Sequence, residues 1–243
     1  MQKFVEAKSL PVPHANDLHR QASALSDVIL GGQDGLVNVL GVILGVAAAT
    51  SDPRIVIAAG LADTFAESIS MGAVAYTSML ADADFYESER EREYRHIHRM
   101  PEMERDEIRG IYADKGFNGK LLERTVDTIT ANKDVWVAVM MAEEHQLTPV
   151  NRKLARRSAL VVGFSAIIGS LIPLMPFFFV PIEIGIPVSL VTTALVLFGV
   201  GVYKARVTVG RPLRSGMEMA VIGTISALAG YFVGAMFKVP PAP

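Results

Sequence analysis

Five stretches of the chain are predominantly apolar over about the length of a membrane helix, and the last three show no polar face of the kind a soluble helix has. They are Leu25–Ala49, Ile55–Leu80, Leu160–Phe179, Ile186–Tyr203 and Met217–Phe237. At 1.5 Å per residue, about 20 residues cross the hydrocarbon of a bilayer, so each stretch reads as a membrane helix. The last three are almost purely apolar. Asp27, Gln33, Asp34 and Asn38 interrupt the first, and Asp63 and Glu67 the second. Only Thr50–Arg54 separates these two, and its Ser-Asp-Pro reads as a turn, which makes them a hairpin.

Between the second and third stretches the pattern changes. From Ser78 to Arg99 there is no proline or glycine, and Glu and Arg favour helix, so the second helix is expected to continue beyond its apolar part. Pro101 starts another helix, with Glu102 and Glu104 in its first turn complementing the helix dipole, and Gly116 ends it. A third helix is expected from Asn118 to Gln146, closed by Thr148-Pro149. The pattern therefore predicts an all-α membrane protein of five transmembrane helices, with a three-helix insertion between helices 2 and 3. The segments are 1–21, 22–80 (helices 1 and 2), 81–150 (insertion) and 151–243 (helices 3 to 5).

Composition alone changes little: 51% hydrophobic residues and a net charge of −2 suit a soluble enzyme nearly as well. Distribution decides. More than half of the residues from Ala83 to Arg109 are charged, whereas Ala159 to Tyr203 holds only Glu183 and Tyr203 as ionisable groups. The absence of cysteine excludes disulfides and thiolate metal sites. Met1–Arg20 lacks the apolar core of a signal peptide, so no cleaved targeting segment is expected. Without a basic stripe, nucleic acid is not an expected partner. No phosphate-binding glycine loop is present, which argues against direct ATP drive.

Basic residues cluster at Lys3, Lys8 and Arg20, throughout the insertion, and at Lys204, Arg206, Arg211 and Arg214. The positive-inside rule then places the N-terminus and the insertion in the cytoplasm and the C-terminus outside.

The polar groups inside the apolar stretches recur at helical spacing. Asp34 and Asn38 are one turn apart on the first helix, and Asp63, Glu67 and Met71 repeat at the same interval on the second, so each set lines one face. Ionisable groups at membrane depth are costly and mark interiors or water-filled paths. Carboxylates with a thioether suit moderately soft divalent ions such as Fe(II) and Mn(II). In the insertion, Glu93 with His96, Glu104 with Glu107, and Met140 with Glu144 are each about one turn apart, so three helices offer three ligand pairs. Glu93-x-x-His96 is one copy of a spacing that di-iron carboxylate bundles use twice. On spacing alone, a solvated charged face explains these glutamates better than ligation does. His98 and His145 are expected as exposed bystanders, and Met140 and Met141 suit core packing as well as ligation.

Several strings, taken in order, resemble the vacuolar iron transporter family. They are Gly32-Gln-Asp34-Gly-Leu-Val-Asn38, Ser70-Met71, Pro101-Glu-x-Glu104-x-x-Glu107, Met140-Met141 with Glu144, and Lys204-Ala-Arg followed by Arg214-Ser-Gly. The resemblance spans about Arg20 to Phe237. It implies a homodimer with the ion path between subunits, a cytoplasmic metal-binding insertion, and proton-coupled movement of Fe(II), with Mn(II), Zn(II) or Co(II) as other cargo and no prosthetic group.

It also implies Asp34 and Met71 as path ligands and Glu93, Glu104, Glu107, Met140 and Glu144 as ligands of the insertion. His96 stands where the family has a glutamate. Ala75 stands where many members have another, which leaves Glu67 or Asp63 to replace it on the proton or ion path beside Asn38. The membrane is the vacuolar one in a eukaryote and the cell membrane in a prokaryote. Two rival readings are a membrane-anchored metal sensor or buffer and a membrane-bound di-iron oxidase.

Overall fold

The computed structural model describes residues 15–237, with side chains from Ala24 onward. Lys3 and Lys8, on which the orientation partly rests, lie outside the described residues. Every regular element among the described residues is helical. In chain order these are α1 (Ala15–Ala49), α2 (Pro53–Arg99), α3 (Pro101–Asp114), α4 (Gly119–Thr130), α5 (Lys133–Glu143), α6 (Ala155–Leu174), α7 (Ile182–Val207) and α8 (Pro212–Met236). Short 3-10 turns at Arg152–Leu154 and Met175–Phe178 flank α6. Five helices are long and apolar enough to cross a membrane, namely α1 from Ala24, α2, α6 with its flanking turns, α7 and α8. The chain is a multi-pass membrane protein. It divides into two compact units, 1–75 with 157–243, and 76–156.

In the first unit the helices approach backbone to backbone, because glycines sit where they meet. A Cβ added to Gly31 or Gly35 of α1 would lie 2.2 or 2.3 Å from the carbonyl oxygens of Val162 and Ala166 on α6. Further along α1, a Cβ on Gly45 would meet Gly230 at 2.8 Å, and one on Gly234 of α8 would lie 1.8 Å from the Gly45 oxygen. Membrane helices associate through such packing rather than through a hydrophobic drive. Val39, Leu40, Ile43 and Leu44 of α1 fill the core with Val56, Leu174, Phe177 and Ala227.

Replacing Gly234 with valine is expected to remove at least about 1–3 kcal/mol of stability through overpacking. The thermal midpoint in detergent checks it, with Gly199→Ala as the control because nothing lies within 4 Å of that added carbon.

α7 starts at Ile182, earlier than the Ile186 expected, and carries Pro187 within it. Pro173 within α6 frees backbone bonding capacity in the same way, and its carbonyl accepts from Ser189 Oγ at 2.6 Å. Proline is tolerated at such depth when neighbouring groups re-satisfy the backbone.

The second unit differs from the three-helix expectation. The continuation of α2 and the helix begun at Pro101 form, and Gly116 takes a left-handed φ of 94° just beyond α3. The helix expected over Asn118–Gln146 is broken into α4 and α5. Asn132 causes the break: its side chain accepts from the backbone N–H groups of Asp134 (2.8 Å) and Val135 (3.4 Å), starting a new helix instead of continuing the old one. Arg109 donates to Glu123 at 2.9 Å, tying α3 to α4, and Tyr94 donates to Asp134 at 2.6 Å, tying α2 to α5. Ile97, Ile108, Val126, Ile129, Trp136, Val137, Met140 and Met141 form the buried core of this unit.

Candidate metal centres

The first candidate lies between α1 and α2. Asp34 and Asn38 on one helix face Asp63 and Glu67 on the other. Asn38 Nδ2 donates to Glu67 Oε1 at 2.6 Å, and the Asp34 carboxyl reaches the same glutamate, with Asp63 near enough to act on its charge. Asp63 Oδ2 and Glu67 Oε2 are buried with no hydrogen-bond partner. Thr64 and Ser68, beside them on α2, satisfy their hydroxyls on carbonyls of their own helix, Gly60 at 2.7 Å and Phe65 at 3.0 Å. The helix thus supplies acceptors for the hydroxyls and none of the donors the carboxylates need. Met71 is half-buried one turn beyond Glu67, on the same side of α2. Asn38 itself is exposed on the single chain.

The second candidate is in the 76–156 unit. Glu93 of α2 and Glu104 of α3 are each only 2% exposed, and each has an Oε2 atom without a hydrogen-bond partner. His96 Nδ1 lies 3.8 Å from Glu93 Oε1 and 3.4 Å from Glu104 Oε1. Glu107 and Glu144 bring two more carboxylates close enough to act on Glu104. Burial, then repulsion by Glu107, Glu93 and Glu144, pushes the Glu104 carboxyl up to about 7. Burial, then Glu107, also raises Glu144. Met140 is fully buried in the hydrophobic core, where Trp136 and Met141 also pack.

Five of the insertion residues expected as ligands, Glu93, His96, Glu104, Glu107 and Glu144, are thus brought together, and Met140 sits in the core beside them. His98 is exposed. His145 is not the exposed bystander expected: its Nε2 lies 3.0 Å from Glu93 Oε1 and 3.9 Å from Glu144 Oε2, with the side chain 16% exposed. The end of α5 explains this. His145 N–H bonds Met140 O, five residues back, at 3.2 Å, and Gln146 takes a φ of 54°. This widened turn carries the imidazole to Glu93, and a regular 3.6-residue helix does not anticipate it. Among the described residues, the triads Glu93–His96–Glu104 and Glu93–Glu144–His145 hold their ligand atoms within 4.8 Å of one another.

The model of the VIT family matches residues 25–235. The chain is similar to vacuolar iron transporter 1 of Oryza sativa subsp. japonica, 34% identical over 206 residues that cover 84% of this chain and 82% of the relative. It is also similar to vacuolar iron transporter 1 of Arabidopsis thaliana, 31% identical over 226 residues (92% and 90%). The vacuolar iron transporter of Plasmodium berghei is 28% identical over 235 residues (93% and 86%). Matched over residues 25–235 and carrying five membrane-length helices, the chain belongs to the VIT family.

Proposed function

We propose that this protein transports Fe(II) out of the cytosol, into a vacuole-like compartment or across the cell membrane, in exchange for protons. The observation that carries the reading is the pair of buried, partnerless carboxylate oxygens of Asp63 and Glu67, set beside Asp34 and Asn38 within membrane helices. Such groups are held at membrane depth when a cation or a proton fills them in turn. The names of the relatives, all iron transporters, supply the cargo.

In this reading the insertion is cytoplasmic and collects the ion on Glu93, His96, Glu104, Glu107 and Glu144, with Met140 as a soft donor. Asp34 and Met71 then take it along the path, where Glu67 or Asp63 replaces the glutamate missing at Ala75. Protons and metal compete for the same carboxylate lone pairs, which couples their movements in opposite directions. Mn(II) is a second cargo, because oxygen ligands accept it as readily. A second copy of the chain covers the α1–α2 face, where Asn38 would otherwise meet lipid.

One observation favours a rival, a membrane-anchored metal buffer: the tightest ligand triads among the described residues are in the 76–156 unit. The two readings separate on Glu93→Ala in liposomes. The transporter loses loading rate at low Fe(II) and keeps a measurable flux at high Fe(II). A buffer has no flux to keep, and absence of flux in both wild type and variant, with metal still bound by the wild type, would establish it.

A further inference from the structure

We propose that His145 is a metal ligand, and that with His96 it makes the insertion site a two-imidazole centre around the shared carboxylate of Glu93, selective for later divalent ions over Mn(II). The inference rests on the loading role proposed above and adds a ligand outside the set implied by family resemblance.

Glu93 Oε1 has an imidazole on each side: His145 Nε2 at 3.0 Å and His96 Nδ1 at 3.8 Å. Each imidazole has a second carboxylate of its own, Glu104 at 3.4 Å from His96 and Glu144 at 3.9 Å from His145. Donors bound to one ion at about 2.1 Å stand about 3.0–3.5 Å apart at octahedral to tetrahedral angles. The separations found here run from that range to slightly beyond it, so modest closure around an ion brings them in.

The independent sign of a missing cation is that Glu93 and Glu104, both 2% exposed, each keep an Oε2 atom with no hydrogen-bond partner. A purely structural His145–Glu93 hydrogen bond would occupy Oε1 and leave Oε2 of the same carboxylate buried and unsatisfied, which is destabilising. A cation chelated by both oxygens of the shared carboxylate would satisfy Oε2 as well as Oε1.

Selectivity follows from ligand type. Imidazole suits iron, nickel, copper and zinc, whereas carboxylate and water alone suit manganese and magnesium. Two imidazoles in place of carboxylates therefore raise affinity for the later ions while adding little for Mn(II).

The test uses the full-length protein in detergent, with Co(II) as the probe and Mn(II) in competition against it. Trp136 is the single tryptophan and is buried in the core of this unit, so quenching of its emission by Co(II) reads occupancy of the insertion. The unquenched emission of each metal-free variant reports its fold. In His145→Ala and His145→Gln, Co(II) affinity is expected to fall at least about tenfold and Mn(II) affinity less than about threefold, since loss of an imidazole penalises the later ion more.

Glutamine keeps a donor for Glu93 but is a poor ligand. A wild-type ratio of Co(II) to Mn(II) affinity in His145→Gln overturns the ligand assignment and leaves the loading role standing. If Co(II) does not quench the wild type, or quenches Glu93→Gln equally, the loading role fails and the inference falls with it.

Discussion

Asp34→Ala is expected to reduce Fe(II) flux through reconstituted protein to the leak of empty liposomes, with the protein still folded and eluting as the wild type does. The residue sits among Asn38, Asp63 and Glu67, where one carboxylate oxygen accepts from Asn38 and two others have no partner. Removing Asp34 takes a ligand and a charge from this cluster, and alanine at a half-buried position opens no large cavity. Packing around the site survives because Gly31 and Gly35, which fix the α1–α6 approach, are untouched. Asp34→Asn separates charge from shape: it is expected to fail as well, because an amide neither releases a proton nor neutralises a divalent ion. Wild-type flux in either variant would remove Asp34 from the path.

The second large effect is opposite in sign for stability and for binding. Glu104→Gln is expected to abolish high-affinity metal loading of the insertion and, in the metal-free protein above pH 7, to stabilise the same unit. The sign follows from linkage. The folded carboxyl titrates at about 7 against 4.5 when free, so between those values the folded state holds a proton that the unfolded state has released. Stability of the metal-free unit therefore falls as pH rises from 4.5 through 7, and the full penalty is present above that range.

Glutamine has no charge to desolvate on burial, nor one to be repelled by Glu107, Glu93 and Glu144, and so escapes that penalty. Denaturant midpoints read by Trp136 fluorescence at pH 5 and pH 8 check it: wild type loses stability between them, and Glu104→Gln loses markedly less. Saturating metal is expected to reverse the order of the two proteins at pH 8, because only the wild type gains binding energy. A variant less stable than metal-free wild type at pH 8 would show that Glu104 supports the fold and does not strain it.

These expectations grew from a sequence in which some levels were easier to read than others. The five membrane-length helices were legible because burial in lipid leaves no polar face, a signal spread over about 20 residues and insensitive to detail. The α1–α2 carboxylates were legible for the same reason, since Asp34, Asp63 and Glu67 stand out against apolar neighbours.

In the insertion the background is itself charged, so Glu93 and Glu104 could not be told from Glu91 and Glu102 by spacing. Only the fold shows the first pair buried and the second exposed. The break at Asn132 was missed because the residues on either side favour helix and a single capping side chain decides the matter. His145 was missed because periodicity places it about 100° around the helix from Glu144, and the widened turn after Met140 undoes that rotation. The close approaches at Gly230 and Gly234 do not show in the sequence, since which helix each glycine meets depends on the packed bundle.

Proton-coupled export is tested by Fe(II) uptake into proteoliposomes carrying an imposed proton gradient. A pH-sensitive dye in the lumen follows the protons in the same sample. Uptake is expected to require the gradient, the lumen to lose protons as iron enters, and neither signal to appear with Asp34→Ala. Iron bound by the purified protein, with no gradient-dependent uptake and no proton movement, would contradict it and leave a membrane-anchored buffer in its place.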